Sequence, residues 1–362
     1  MIFLKLKIDN FYMFKDTAFD FTYPKKIRNS TIEGEFLTEF PNINYKKVCI
    51  LMGANASGKT SLGKLMCSIN NYLCGRNIED LPKAIYKKDI NSSVEVIYIT
   101  PGTKEIHKLI AIFNRDGLVE EYHHIQKLKK TYSLEKTLKS LVNSSPQFTY
   151  NKANNHGIEN PGFKSVSDSL GYPLDKNTNN WNYTYSDFNS STELDARIIN
   201  IEILEAILKS FDSSIMAVQK IQESLENSYI IKFYNSDEVI IENGKILNHE
   251  RLSRGTIESI EVADFINFII SSNEGTFFLD EKLAYSHSEI EIAMLNLIIE
   301  KLKSNSQFFH TTHNYDILEM NLPSHSYTFL RKNEFVEAIH PEKIGYTKNT
   351  KNLKFPLTVN KK

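Results

Sequence analysis

The chain has 362 residues, 41% of them hydrophobic, enough for one large or two modest domains with cores of their own. Its 43 basic residues nearly balance 44 acidic ones, and the net charge of −1 excludes an overall field that draws nucleic acid or an anionic membrane, though not a local basic patch. Cys49, Cys67 and Cys74 form neither a disulfide framework nor a C-x-x-C metal spacing, and no run nears the roughly 18 apolar residues of a spanning helix, so a soluble cytoplasmic protein is expected.

The opening "MIFLKLKIDNFYMFKD" alternates and carries early charges, so it reads as a strand and not as a signal peptide. Residues 1–25 read as two strands around the bend "DNFYMFKD". "KKVCILM" reads as a short buried strand, and "GANASGKTSLGKLM" follows at once from Gly53. The pattern is G-x-x-x-x-G-K-[ST], a phosphate-binding P-loop: glycines let the backbone turn tightly and aim successive N–H groups at phosphate oxygens. Leu62, Leu65, Met66, Ile69 and Leu73 then hold the spacing of a core-facing helix, whose positive end faces the same anion. Gly53, Asn55, Ser57, Gly58, Lys59, Thr60 and Ser61 are the candidate nucleotide-binding set. Lys59 would reach the β/γ-phosphates and Thr60 would ligate magnesium.

"SSVEVIYIT" and "HKLIAIFNR" read as strands joined through "PGTKE", and "RDGLVEEYHHI" continues through a D-G turn, which predicts an antiparallel sheet beside the P-loop unit. From Thr131 the texture changes. "SLEKTLKSLV" reads as one short helix. The stretch from Asn143 to Ser191, rich in Asn, Ser, Gly and Pro, has no sustained period; it is either an insertion that binds something or a low-complexity loop. Its aromatics Phe148, Tyr150, Trp181, Tyr183 and Tyr185 argue for packing. Ser190 and Glu193 make a capping box for a helix carrying Leu194, Ile198, Ile201, Leu204 and Leu208 on one face. "SIMAVQKIQESLEN" reads as a second helix, and "SYIIKFYNSDEVIIENGKIL" as strands with "NSD" and "NG" turns.

Three further stretches carry chemistry. In "HERLSRGTIESIEVADFIN" a polar loop with Ser253 and Gly255 opens a helix, a pattern that ordinary helix capping also produces. "GTFFLDE" is a buried strand delivering Asp280 and Glu281 at its end, where the crevice of an α/β sheet lies. Asp280 would hold magnesium and Glu281 would orient or deprotonate the attacking water. "QFFHTTHNYDILEM" repeats the form with His313, which can donate to a γ-phosphate or to water; His310 competes for that role. "SYTFLRKNEFVEAIHPEKIG" reads as a closing hairpin before a basic tail, which an ordinary disordered end also explains. Between "GTFFLDE" and "QFFHTTH", Leu295, Ile298, Ile299 and Leu302 mark one more helix.

P-loop, inserted segment, LSxGT, apolar strand with Asp-Glu, and strand with His is the motif order of ABC-type ATPase heads. The chain resembles their SMC/RecF-like branch: "GANASGKT", "LSRGT", "FFLDE" and "TTH" match its Walker A, signature, Walker B and histidine switch. Within that branch it looks most like the AAA-type core ATPases related to the OLD (overcoming lysogenization defect) family, often found in bacterial anti-phage systems such as PARIS, Septu and some retrons. The likeness covers residues 1–130 and 195–340.

The resemblance implies an α/β ABC-ATPase head, a P-loop NTPase sheet plus an antiparallel β subdomain with a helical or irregular insertion. Its parts would be 1–130 with Walker A, an insertion over 131–192, 193–345 with signature, Walker B and histidine switch, and a basic tail over 346–362. It implies ATP and Mg2+, slow regulatory hydrolysis, and a homodimer or higher assembly with two ATPs sandwiched at the interface. Lys59, Thr60, Asp280, Glu281 and His313 would act in cis, and Ser253 and Gly255 on the ATP of the partner subunit. The output would be a defence response through a separate effector, a nuclease or toxin. No glutamine stands at the Q-loop place, since Gln126 lies late in "YHHIQKLKK", and no acidic toprim motif follows residue 330. Two alternatives stay open: a RecF- or SMC-like DNA-binding repair ATPase, seeded by "QKLKKTY" and Lys87–Lys88, and a scaffold that binds ATP without turnover.

Overall fold

The alternation that opens the chain becomes strand Ile2–Asp9, whose Ile2 and Leu4 face one core and Phe3, Leu6 and Ile8 another, with a register shift between Phe3 and Lys5 that changes the side. The computed structural model describes residues 1–23, 30–74, 80–154, 181–185, 200–221, 228–284 and 286–344. The chain divides into two units, one of Met1–Tyr183, Glu274–Phe278 and Lys303–Lys362, the other of Thr184–Asn273 and Leu279–Leu302.

The first unit holds one six-stranded sheet whole and a second but for the last two residues of two of its strands. One is antiparallel, in the order Thr17–Asp20, Ile2–Asp9, Ser92–Thr100, Glu105–Asn114, Gly117–Lys127 and Phe148–Asn151. Its hairpins form where the turn residues stand: Lys104 and Gly117 both take positive φ. One face (Leu6, Ile8, Val96, Leu109, Phe113) packs with Leu62, Leu65, Met66, Ile69 and Leu73 of helix Lys59–Leu73. The other face (Ile2, Leu4, Ile97, Ile99, Ile106) packs with Leu134 and Leu141 of the short helix Leu134–Val142, which Ser133 caps.

The other sheet runs in the order Trp181–Tyr185, Thr276–Asp280, Gln307–Thr312, Val48–Met52, Tyr327–Lys332 and Val336–Ile339. Val48–Met52 pairs in parallel with both of its neighbours, and the last two strands form the closing hairpin. Three of these strands are buried at every residue, as parallel strands covered on both faces are. The buried amide of Gln307 joins the two sheets: its Oε1 accepts from Phe3 N at 2.8 Å, and its Nε2 donates to Phe3 O at 3.0 Å and to Lys46 O at 3.1 Å.

The irregular middle of the chain contributes more regular structure than its composition suggests. Phe148–Asn151 extends the antiparallel sheet and Trp181–Tyr185 the mixed one; Phe148, Tyr150, Trp181 and Tyr183 join the main core, while Tyr185 is exposed. The expected capping box at Ser190 and Glu193, with Leu194 and Ile198, lies outside the described residues, as does the tail. The described helix is Ile201–Phe211, with Asn200 accepting from Glu202 N at 2.9 Å.

In the second unit an antiparallel sheet of Ile215–Lys220, Tyr229–Phe233, Glu238–Glu242 and Lys245–Ile246 packs on Ile201–Phe211. Ile215–Lys220 was expected to be a helix, and the structure corrects this. A register shift between Ile215 and Ala217 turns Ile215 and Val218 to one buried face, so a bulged strand reproduces the i, i+3 spacing of a helix. Helices Arg254–Ser271 and Ser288–Lys301 complete this unit, and Met294, Leu295, Ile298 and Leu302 are buried. No helix among the described residues is long and apolar enough to cross a membrane.

The first unit also buries titratable groups. Burial pushes the Glu121 carboxyl up to about 8, where it accepts from the Tyr72 hydroxyl, and pushes His123 down to about 4 and His340 to about 3. Unfolding then releases the Glu121 proton at any pH between the ordinary carboxylate value of 4.5 and about 8, so this group lowers stability as pH rises through that window. The histidines act oppositely: unfolding takes up protons below 6.5, so stability falls as pH drops toward 4.

Two outcomes are expected. Gln307→Ala, which strands the buried N–H and C=O of Phe3 and leaves Lys46 O to the Cys49 thiol alone, should cost ~2–5 kcal/mol in urea denaturation; a cost below about 1 kcal/mol would mean that the groups find other partners. Glu121→Gln should gain on wild type progressively between pH 5 and 8, by on the order of 1–3 kcal/mol in all. Parallel stability curves would show that Glu121 is ionised in the fold.

Candidate phosphate-binding site

Strand Val48–Met52 delivers the chain to Gly53, and the loop reaches helix Lys59–Leu73 in five residues. Ala56 and Gly58 adopt left-handed φ of 60° and 97°, with Ser57 of ordinary hand between them. Such alternation turns successive N–H groups to one side and makes an anion-binding concavity. For Ala56 the conformation costs on the order of 1 kcal/mol, which the loop's other contacts must hold. Gly53 answers to a different constraint: a Cβ there would lie 2.5 Å from both Leu330 O and Ser57 Oγ. At Gly58 a Cβ would come within 3.0 Å of Val336. The closing hairpin therefore forms the floor of the loop, a role its own sequence gives no sign of.

Lys59 is buried and folds back over the loop, its Nζ donating to Gly53 O at 2.9 Å and Ala54 O at 3.0 Å. No acidic residue sits in the helix's first turn and no side chain caps it, so the positive end of the dipole is left for a ligand. Asn55 is exposed on the crest of the loop; Thr60 and Ser61 are half-buried. Ser57 Oγ is buried and has no hydrogen-bond partner. A native fold rarely tolerates that, and an acceptor-rich phosphate beside the loop would satisfy it.

The remaining predicted residues sit at the ends of defined elements. Gln307 N donates to Gly275 O at 2.9 Å and Phe308 N to Lys47 O at 2.8 Å, so three strands start level. One runs into the loop at Gly53, one toward Asp280 and Glu281, and one toward His313. Thr312 pairs in register with Met52, which brings His313 out beside the start of the loop, exposed to solvent. His310 is fully buried and stacks on Phe308, so of the two histidines only His313 faces solvent. Asn314 N bonds to Thr312 Oγ1 at 3.0 Å and fixes the turn that follows.

In the second unit, buried Asp280 ends its strand and Glu281 leaves it with a left-handed φ of 51°, half-buried. A non-glycine residue there marks a turn held by its surroundings. Lys282 supplies one hold, an ion pair with Glu261 of helix Arg254–Ser271. Ser253 caps that same helix: its Oγ accepts from Thr256 N at 3.0 Å and lies 2.7 Å from Thr256 Oγ1. Ser253 is exposed and Gly255 half-buried in the first turn. Gln126 Nε2 donates to Ser140 Oγ at 2.8 Å, tying helix Leu134–Val142 to the antiparallel sheet.

No protein-family model matches the chain, and no curated protein does. Among solved structures it is similar to an SMC head bound to the C-winged helix domain of ScpA, with TM-score 0.49 and 13% identity over 95% of this chain and 99% of that one. It is similar to the SMC head domain from Thermotoga maritima, with TM-score 0.43 and 13% identity over 94% and 99%. It is also similar to an SMC head domain with an extended coiled coil bound to the C-terminal domain of ScpA, derived from Pyrococcus furiosus, with TM-score 0.49 and 11% identity over 99% and 100%. At such identities the chemistry has to be read from this chain's own residues.

Ser57 separates a ligand role from a packing role. Ser57→Ala removes an unsatisfied buried hydroxyl, so it should leave the ligand-free protein as stable as wild type or up to ~1 kcal/mol more stable. The same change should reduce the thermal shift produced by ATP. An equal shift in both proteins would place Ser57 outside the ligand's reach.

Proposed function

We propose that the chain is an ABC-type ATPase head that binds ATP with magnesium at Gly53–Ser61 and hydrolyses it slowly as a nucleotide-gated dimer. The loop carries this reading: a left-handed turn at Ala56 and Gly58, a lysine folded onto its carbonyls and a buried serine hydroxyl with no partner suit a triphosphate. Lys59 would exchange carbonyl oxygens for β/γ-phosphate oxygens, with Ser57 and the loop N–H groups beside it. Thr60 and Asp280 would hold the magnesium, which supplies charge neutralisation to the phosphates. Glu281 would accept a proton from the attacking water, and His313 would donate to the water or the γ-phosphate. Ser253 and Gly255 would contact the ATP of the partner subunit, in a two-fold arrangement that closes on itself. Assembly and release of that dimer would be the output, gating a separate effector in anti-phage defence.

One observation favours the DNA-binding alternative. The ammonium groups of Lys129 and Lys136 lie over the Tyr132 ring, at 5.0 and 4.1 Å from its centroid, and with neighbouring Lys130 they make a basic and aromatic stretch of the kind that tracks a phosphate backbone. A steep fall of DNA affinity with salt would favour that reading, and salt-independent or absent binding would remove it.

Glu281→Gln should keep ATP affinity, lower phosphate release by ~10²-fold or more and accumulate the ATP-bound dimer. Lys59→Ala should lose ATP affinity; if it binds as wild type does, the loop is no nucleotide site. Ser253→Arg and Lys59→Ala should each be inactive alone and partly active when mixed, because a mixed dimer holds one whole site. Full activity of Ser253→Arg alone would overturn the trans role and the sandwich dimer with it.

A further inference from the structure

Gly63 is the one glycine inside helix Lys59–Leu73, and it is buried. A glycine in a helix interior is unfavourable relative to alanine, so its presence asks for a reason. A Cβ there would come 2.8 Å from Tyr183 Cε2, and 2.9 and 3.0 Å from Phe278 Cε1 and Cζ. The helix is thus notched at one position, and two rings fill the notch. Tyr183 meets Phe278 edge-on at 5.4 Å; Phe278 stacks on Phe309 at 5.6 Å; Phe309 meets Phe3 at 6.3 Å; Phe3 meets Trp181 at 6.0 Å. The five rings form a chain that leaves strand Trp181–Tyr185 at Tyr183 and returns to it at Trp181.

The two neighbours of Tyr183 in the notch, Gly63 and Phe278, lie on elements that carry a residue of the candidate site. Gly63 is one helical turn beyond Lys59, on the same face. Phe278 precedes Asp280 by two residues, so both side chains leave their strand in the same direction. Phe309 lies on the strand that ends before His313. The strand that brings Tyr183 is only five residues long, sits at the sheet's edge, and has no fully buried residue. It also buries Trp181 Nε1 without a hydrogen-bond partner. An edge position and an unsatisfied donor mark an element docked with little free energy to spare, the kind that responds to ligands.

We propose that Tyr183, seated in the notch at Gly63, is a positioning residue for the nucleotide site, and that docking of strand Trp181–Tyr185 is coupled to nucleotide affinity. This rests on the reading of Gly53–Ser61 as an ATP site. A docked Tyr183 holds the helix where Lys59 faces the loop and braces the strand that ends in Asp280. Coupling of this kind is reciprocal, so ATP must favour docking by the same factor that docking favours ATP.

The test uses the full chain. ATP affinity is measured for wild type, Tyr183→Ala, Tyr183→Phe and Gly63→Ala, together with amide hydrogen exchange of the segment 181–185 with and without ATP. Tyr183→Ala and Gly63→Ala should weaken ATP binding by ~5–50-fold, although neither touches the loop. Tyr183→Phe keeps the ring and should stay within about twofold of wild type. In wild type, ATP should slow exchange at 181–185; in Gly63→Ala, where the notch is filled, and in Lys59→Ala, where ATP does not bind, it should not. Tyr183→Ala or Gly63→Ala binding ATP like wild type would overturn the proposal. So would unchanged exchange at 181–185 when wild type binds ATP, and that measurement decides even where a variant fails to fold. A wild-type protein that binds no ATP would instead overturn the ATP-site reading, and this proposal with it.

Discussion

Strand Thr17–Asp20 runs beside Ile2–Asp9 only as far as Lys5, so the outward N–H and C=O of Phe3 lie beyond its reach, deep in the first unit. Two unpaired buried backbone groups would cost several kcal/mol between them. Gln307 meets both with one side-chain amide, in the geometry that a neighbouring strand would have offered, and spends its remaining donor proton on Lys46 O. Because Gln307 begins one parallel strand and Lys46 precedes another, a single residue sets the level at which both strands start against the antiparallel sheet. The positions of Gly53 and His313 at the far ends of those strands follow from that level by counting residues.

The candidate loop shows how the fold carries local cost. Ala56 sits in a backbone region that side chains avoid, Ser57 buries a hydroxyl unpaired, and Gly53 approaches Leu330 O too closely for any Cβ. None of these would persist on an isolated strand–loop–helix. The closing hairpin supplies the floor, and Lys59 cross-links the loop's carbonyls from above. The strained Ala56 and the unpaired Ser57 hydroxyl stand side by side in this loop, where a bound anion would relieve both.

A comparable arrangement holds in the second unit. Glu281 leaves its strand through a left-handed turn, and buried Lys282 ties that turn to helix Arg254–Ser271, whose first residues hold Ser253 and Gly255. Two stretches that are separated in sequence by more than a full helix are therefore joined by an ion pair within this unit.

The sequence by itself determined the local elements whose signals are short-range. The glycine spacing from Gly53, the buried runs at Val48–Met52, Thr276–Asp280 and Gln307–Thr312, and the paired hairpins from Ser92 to Lys127 were legible because turn chemistry and hydrophobic period act within a few residues. Ile215–Lys220 was misread as helix because a bulge copies the helical period, and a bulge depends on the strand opposite. The aromatics of the irregular middle signalled packing, but not that Trp181 and Tyr183 would close a ring of five against Gly63, since that needs partners from residues 3, 278 and 309. Nor could any local pattern foretell that Gln307 would serve as a missing strand for Phe3 or that Leu330 would lie beneath Gly53. Those contacts join residues hundreds of positions apart, and only the tertiary structure, by deciding which buried polar group lacks a neighbour, assigns them.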